Sequence, residues 1–141
     1  MLNEDILDTM LRMAMEATRN AYVEHTALAV GACALAEDGT LYTGCTIDNR
    51  DQRLYCNAEA LALFKGIADG KREFDAVLVV ADTEDPYIPS GASLQLLAEF
   101  DVQEIIMANM NGAKERTTLD KLLPYAAKMK KNHLFNVEED V

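Results

Sequence analysis

The clearest structural signal in the chain is ALAVGACALAEDGTLYTGCTI, which occupies residues 27–47. Two apolar runs, residues 27–36 and 40–47, lie on either side of a turn that contains Asp38 and Gly39. An Asp-Gly pair between two such runs is the pattern of a β-hairpin. We therefore predict two strands joined by a tight turn.

Apolar periodicity predicts the other elements on both sides of the hairpin. Residues 3–23 repeat apolar side chains at helical spacing and predict an amphipathic helix. Downstream, the sequence predicts a helix at 57–68, a strand at 75–81, a helix at 90–100, a strand at 102–108, a turn at 111–112 and a helix at 118–130 that Thr118 caps. The order of these elements indicates an α/β fold, a three-layer α/β/α domain with a mixed sheet between layers of helices.

Composition bounds the size of the protein and its partners. The 141 residues fit a single domain over residues 1–141, with a polar tail at 131–141 that we expect to be loose. The 13 Lys and Arg against 24 Asp and Glu leave a net charge of -11, which disfavours nucleic acid and anionic membranes as partners. No apolar run is long enough to span a membrane, and the first residues are acidic, unlike a signal peptide. We expect a soluble cytoplasmic protein.

Four segments carry a more specific signal. They are VGACALAEDGTLYTGCTIDN at 30–49, AEALALFKGIADG at 58–70, VVADTEDPYIPSGASLQLLAEF at 79–100 and TTLDKLLPYA at 117–126. In order and spacing, these segments resemble the small homotetrameric cytidine deaminases. The resemblance implies the cytidine-deaminase-like fold, a nucleoside-like small-molecule ligand and a homotetramer. In that family, a zinc-activated water attacks C4 of the pyrimidine, and a Glu moves the proton.

The resemblance breaks at the positions that hold the metal. Asn57, Ser90 and Ser93 stand where the family has its three zinc-binding cysteines. Their neutral amide and hydroxyl oxygens are weak ligands for zinc, because they bring no negative charge. Ala60 stands where the family has an Arg that hydrogen-bonds the zinc thiolates and offsets their negative charge. The negatively charged ligands and the positive charge that balances them are therefore lost together. We therefore expect no metal and no other cofactor.

The walls of the implied pocket change as well. Thr46, Asp48 and Asn49 occupy the positions of the family's ribose-binding pattern, with Thr46 in place of an Asn and Asp48 in place of a Glu. Leu28 replaces a Phe near the base, and Ala127 replaces a Phe that helps to close a neighbouring subunit's site. By the resemblance, the expected ligand-binding residues are Leu28, Thr46, Asp48, Asn57, Ser90 and Ser93.

Two interpretations of the former metal positions stay open. Asn57, Ser90 and Ser93 either cap helices or contact a ligand where two helix N-termini converge. Glu59 is either a first-turn carboxylate that complements the helix dipole or a ligand-facing catalytic carboxylate. Its retention beside the lost ligands favours the second interpretation.

Cysteine and histidine are sparse. Cys33, Cys45 and Cys56 are an odd number of cysteines at wide spacing, which argues against a disulfide framework, and we interpret them as buried thiols. Cys56 precedes a former ligand position and raises the alternative of a relocated metal site or a nucleophile, but neither Cys33 nor Cys45 has an obvious reason to approach it. His25 and His133 are interpreted as surface residues.

Two classes of function follow from these residues. The first is a binding or regulatory protein that keeps a pocket for a pyrimidine nucleoside or a similar small ligand without zinc-dependent deamination. The second is a metal-free hydrolase, in which Glu59 acts as general base on an N-glycosidic or amide bond. The altered ligand positions argue against a conventional cytidine deaminase.

Overall fold

The computed structural model of the protein describes residues 2–25 and 28–127. Within these ranges, the α-helices are α1 (Glu4–Ala17), α2 (Ala58–Ala68), α3 (Gly91–Glu99) and α4 (Leu119–Leu122). The strands are β1 (Val30–Ala36), β2 (Leu41–Cys45), β3 (Phe74–Ala81), β4 (Glu104–Asn109) and β5 (Lys114–Thr118). Among the helices described here, none is long and apolar enough to cross a membrane.

The strands of the described ranges form one mixed sheet in the order β2-β1-β3-β4-β5. β1 pairs antiparallel with β2 and β3, β3 pairs parallel with β4, and β4 pairs antiparallel with β5. The parallel pair needs a crossover connection, which contains α3. The predicted hairpin is confirmed as β1 and β2, and the turn between them places Gly39 at a φ of 91°, a conformation that favours glycine.

Both faces of the sheet are covered by helices. Because side chains alternate along a strand, Leu78 and Val80 of β3 pack with α1, whereas Val77 and Val79 face the layer that contains α2, α3 and α4. The expected three-layer α/β/α fold with a mixed sheet is therefore confirmed. The predicted helices at 57–68 and 90–100 and strands at 75–81 and 102–108 are present, with ends shifted by one or two residues.

Gly44 allows α2 to pack closely against the sheet. A Cβ atom at Gly44 would lie 2.1 Å from the carbonyl oxygen of Ala58 and 2.6 Å from the amide nitrogen of Ala62. Any larger residue would push the helix away from β2. This close approach holds the start of α2, and with it Glu59, against the end of β2.

Two predicted helices are too long. The first ends at Ala17 rather than near residue 23, because the backbone of Tyr22 is extended and hydrogen-bonds with the backbone of Thr46 and Asp48. The closing helix ends at Leu122, since a residue that precedes proline, here Leu123, disfavours the helical conformation. Residues 128–130 of that prediction, the tail at 131–141 and His133 lie outside the described residues.

Strand β5 is absent from the sequence prediction. Its residues KERTT are charged or polar, and the first three are exposed. The strand lies at the edge of the sheet and pairs with β4. Edge strands are often charged, because charge discourages pairing with other molecules. Apolar periodicity, the signal that predicts the other strands, is therefore missing from this segment.

Candidate functional site

A buried carboxyl group lies at the start of α2. Glu59 is the second residue of the helix and is 1% exposed, and neither of its carboxylate oxygens has a hydrogen-bond partner among the described residues. Burial raises the pKa of the Glu59 carboxyl, while the Ser93 hydroxyl and the Glu59 backbone N–H partly offset this shift. These two donors favour the charged form, although neither meets the geometry of a hydrogen bond to the carboxylate. A buried polar atom without a partner is uncommon and is a candidate ligand contact.

The start of α3 lies beside Glu59. Ser90 is the N-cap of α3, and its side-chain oxygen accepts a hydrogen bond of 3.3 Å from the backbone N–H of Ser93. The hydroxyl groups of Ser90 and Ser93 are also 3.3 Å apart. Ser93 is buried, whereas Ser90 is exposed. We call the place where the two helices begin, formed by Asn57, Glu59, Ser90 and Ser93, the Glu59 junction.

Asn57 and Ser90 differ in how they cap their helices. Both occupy the N-cap position, but the side chain of Asn57 makes no capping hydrogen bond, whereas that of Ser90 does. Asn57 is half-buried. The capping interpretation therefore accounts for the Ser90 hydroxyl but not for the Asn57 amide, which remains available to a ligand.

Two tyrosines near the junction were not singled out by sequence reasoning. Burial, followed by the charges of Glu59 and Tyr55, raises the pKa of Tyr87 to about 12. Tyr87 therefore lies within electrostatic range of both residues. Tyr55 and Tyr87 each precede an N-cap residue by two or three positions, at Asn57 and Ser90. Their positions just before the two N-cap residues, whose helix starts the resemblance brings together, could have identified Tyr55 and Tyr87 from the sequence.

The remaining predicted ligand residues lie on the segment after β2 and on the chain before β1. Thr46 is fully buried, and its side-chain oxygen accepts a hydrogen bond of 3.0 Å from the backbone N–H of Val30. The Asp48 carboxylate accepts hydrogen bonds from the backbone N–H groups of His25 at 2.6 Å and Asn49 at 2.8 Å. Thr46 and Asp48 therefore also hold the backbone around them.

Leu28 and Ala127 differ in their exposure. Leu28 is partly buried against the core cluster on the α2 and α3 side of the sheet. Ala127 is exposed, and its backbone exchanges two hydrogen bonds, of 2.6 and 3.0 Å, with the side-chain amide of Gln95 on α3. Leu28 is thus the one of the two whose side chain packs against the core, whereas Ala127 is held to α3 through its backbone.

The cysteines differ from the expectation that all are buried. Cys33 is fully buried, and burial raises its pKa to about 12, whereas Cys45 and Cys56 are half-buried. Cys45 lies within electrostatic range of Cys56, and Ile47, two residues after Cys45, forms a β-bridge with Cys56. Burial, then the charges of Glu59 and Cys45, raise the pKa of Cys56, which disfavours a thiolate nucleophile.

Metal-ligating side chains do not cluster in the described part of the chain. Within residues 2–25 and 28–127, no three His, Cys, Asp or Glu side chains come together in a group that could hold a metal ion. His25 is exposed, as expected for a surface residue.

Comparison with known proteins agrees with this fold. The family model described as the cytidine and deoxycytidylate deaminase zinc-binding region matches residues 5–109. A cytidine deaminase of Sporosarcina psychrophila is 43% identical over 122 residues, which cover 85% of this chain and 90% of that protein. A cytidine deaminase of Halalkalibacterium halodurans is 36% identical over 119 residues, which cover 83% and 90%.

Solved structures show the same similarity. The cytidine deaminase from Burkholderia pseudomallei superposes with a TM-score of 0.83 at 32% identity, over 89% of this chain and 100% of that chain. The cytidine deaminase from Mycobacterium tuberculosis gives a TM-score of 0.75 at 28% identity, over 87% and 98%. Because the family model matches well over half of the residues and the relatives match over most of their length, the chain belongs to the cytidine and deoxycytidylate deaminase family.

Proposed function

We propose that this protein binds a pyrimidine nucleoside or a similar small ligand at the Glu59 junction without zinc-dependent deamination. One observation carries the proposal: Glu59 is 1% exposed, and both of its carboxylate oxygens lack a partner among the described residues. A folded chain rarely leaves such a group unpaired unless something else binds it. The relatives are named cytidine deaminases, which supports a pyrimidine nucleoside as the class of ligand.

The residues at the junction do not fit zinc. By the resemblance described above, Asn57, Ser90 and Ser93 occupy the positions of the three metal-binding cysteines. Zinc sites in proteins use thiolates, imidazoles and carboxylates, and a set of one amide and two hydroxyls brings no negative charge. The Ser90 hydroxyl is also engaged with the backbone N–H of Ser93. No step of the proposed function therefore passes through a metal ion.

The same proposal covers the assembly and location of the protein. We propose a single domain that forms a homotetramer in the cytoplasm, with no nucleic acid or membrane partner. Exposed apolar side chains in the described residues support self-association; they include Leu54, Phe64, Ile88 and Tyr125. The net charge of -11 disfavours polyanionic partners.

Metal analysis is the direct test of the lost zinc site. The purified protein is incubated with zinc and dialysed, and its metal content is measured by elemental analysis. We expect far less than one zinc per chain. The matched control is the triple variant Asn57→Cys, Ser90→Cys, Ser93→Cys, in which three thiolates converge and we expect zinc uptake to rise towards one per chain. Stoichiometric zinc in the unmodified protein would contradict the proposal.

Turnover separates a binding protein from an enzyme. Ammonia release from cytidine in the presence of zinc should be absent, because without a metal ion nothing lowers the pKa of the attacking water by several units. Steady, zinc-dependent ammonia release would show a conventional deaminase.

The second candidate function is a metal-free hydrolase. The observation that favours it is the raised pKa of Glu59, because a carboxyl with a pKa above its ordinary value is a stronger base. Hydrolysis of N-glycosidic or amide bonds would be sought over a panel of nucleosides. If Glu59 is a general base, Glu59→Gln should lower such turnover about a hundredfold or more. If the protein only binds its ligand, no turnover is expected from either form.

A further inference from the structure

An open apolar groove lies along the solvent-exposed side of α1. Its walls are formed by Leu11 and Met15, which are partly buried, and by Met110 in the turn between β4 and β5. The groove has a volume of about 520 Å³. Because α1 covers the face of the sheet opposite to α2 and α3, this groove is separate from the Glu59 junction. We call it the α1 groove.

Four charged side chains flank the α1 groove. Along α1 and the short 3-10 helix that follows it, they are Asp8, Arg12, Glu16 and Arg19, so that acid and base alternate. Two acids and two bases cancel each other, although the whole chain carries a net charge of -11. A locally neutral patch does not repel a second copy of itself, as a strongly acidic surface does.

The order of these charges is self-complementary. When a two-fold axis relates two chains, residue i of one chain contacts residue j of the other, and j contacts i. If two copies of α1 pack antiparallel about residues 13–14, Asp8 faces Arg19 of the second copy. Arg12 then faces Glu16 of the second copy, because both pairs have their midpoint at the same place. A parallel pair in register would instead place each charge opposite itself, which is repulsive.

The apolar walls fit the same antiparallel arrangement. Leu11 and Met15 have their midpoint at Met13, within one residue of the midpoint of the charge pairs. Leu11 of one copy therefore faces Met15 of the other, and the two charge pairs lie on either side of them. The contact has an apolar centre and a charged rim, which is the usual arrangement of a protein interface.

The charges can change partners at little cost. Within the chain, Arg12 lies 3.6 Å from Glu16, between Nη1 and Oε1, and Asp8 lies 3.7 Å from Lys114, between Oδ1 and Nζ. The side chains of Asp8, Arg12 and Glu16 are each more than half exposed. Exposed ion pairs of this kind contribute little to stability, because water screens them.

We propose that the α1 groove is a docking surface for a second copy of this chain, bound antiparallel. The contact does not depend on a ligand at the Glu59 junction. It is weak, because the helix face between Asp8 and Arg19 is about 17 Å long and about 10 Å wide. A stable interface buries about 800 Å² on each partner. The contact is therefore open at micromolar concentration and forms as the concentration approaches 1 mM, on the order expected for so small a face.

Sedimentation equilibrium of the full chain in about 0.15 M salt, where exposed charges are screened beyond about 8 Å, tests the proposal. The measured quantity is the ratio of the mean mass at 1 mM chain to the mean mass at 10 μM chain, on the order of the concentrations that separate weak from stable contacts. The ratio is independent of the assembly already present at the lower concentration. We expect the mean mass of the unmodified protein to at least double. An unchanged mass would overturn the proposal.

Charge reversal tests the pairing itself. Arg12→Glu places two acids opposite each other, and Glu16→Arg places two bases opposite each other, so each variant alone should show no rise in mass. The two substitutions change the net charge in opposite directions, which separates local pairing from overall repulsion. Lys121→Glu, an exposed position on α4 in the opposite layer, is the matched control and should associate like the unmodified protein.

An equal mixture of the two variants completes the test. Position 12 of Arg12→Glu then faces position 16 of Glu16→Arg with opposite charge, and the two unmodified partners also match. We expect the rise in mass to return in the mixture, which a loss of folding in either variant could not produce. Association of Arg12→Glu alone, or a mixture that does not associate, would overturn the proposal. Neither result would bear on the proposed ligand or on zinc.

Discussion

The hydroxyl of Ser93, in the first turn of α3, lies beside the carboxyl of Glu59, in the first turn of α2, and both side chains are at most 2% exposed. This pair brings two helix N-termini to one place, and each terminus has free N–H groups and a partial positive charge. The arrangement is electrostatically suited to a carboxylate. It leaves the Glu59 oxygens without a hydrogen-bond partner among the described residues.

Replacing Glu59 should stabilise the protein at neutral and alkaline pH. Burial raises the pKa of the folded-state carboxyl above its ordinary value of 4.5, so the folded state holds this proton more tightly than the unfolded state. The contribution of the Glu59 carboxyl to the free energy of unfolding is therefore fully present at low pH. It is lost as the pH rises from about 4.5 through the folded-state pKa. Glu59→Gln has no charge to bury, so its melting temperature should exceed that of the unmodified protein at pH 8 and match it near pH 4.

Thermal unfolding between pH 4 and pH 8 measures this difference. Glu115→Gln, on the exposed edge strand β5, is the matched control and should show no such gain. A Glu59→Gln protein that is less stable than the unmodified one at pH 8 would contradict the prediction.

Loss of the two N-cap side chains should affect stability unequally. Ser90→Ala removes a side chain that accepts a hydrogen bond from the backbone N–H of Ser93, and it should lower the free energy of unfolding by about 1 kcal/mol. Asn57→Ala removes no capping hydrogen bond and should lower it by about 0.5 kcal/mol or less. Urea unfolding measures both values. Equal losses would mean that Asn57 caps α2 in solution as firmly as Ser90 caps α3.

The three thiols should differ in reactivity. Cys33 is fully buried, and its pKa is raised to about 12, so alkylation of the folded protein by iodoacetamide at pH 8 should spare it. Cys45 and Cys56 are half-buried and should react slowly. Mass spectrometry of the peptides reports each site, and protein unfolded in guanidinium chloride serves as the control in which all three react. Modification of Cys33 in the folded protein at the rate of the other two would count against this placement.

The protein should form a homotetramer in solution. Light scattering should report four times the chain mass of 15.6 kDa at micromolar concentration. Phe64→Glu places a charge on the exposed apolar surface of α2, where Phe64 is 47% exposed, and should lower the measured mass. Arg12→Glu, which adds the same residue on α1 in the opposite layer, is the control and should leave the mass unchanged. A monomer of the unmodified protein at this concentration would refute the prediction.

The apolar pattern of the sequence was enough to predict most of the sheet. β1, β2 and β3 are apolar runs bounded by turn residues, and their hydrophobicity reports burial directly. The same signal could not predict β5, whose residues KERTT pair with β4 through backbone hydrogen bonds that do not depend on apolar side chains. It also overestimated α1, because backbone pairing of Tyr22 with a distant segment ends the helix.

The sequence by itself determined which chemical groups the site can use. The residue identities at Asn57, Ser90 and Ser93 remove negative charge from the implied metal positions, and Glu59 keeps a carboxyl between them along the chain. Only the tertiary structure decided that this carboxyl is buried without a hydrogen-bond partner in residues 2–25 and 28–127, and that Tyr87 lies within its electrostatic range. Both properties depend on the packing of α2 and α3 on one face of the sheet. Periodicity along the chain reports which face of a helix is buried, but it does not report which distant side chains meet there.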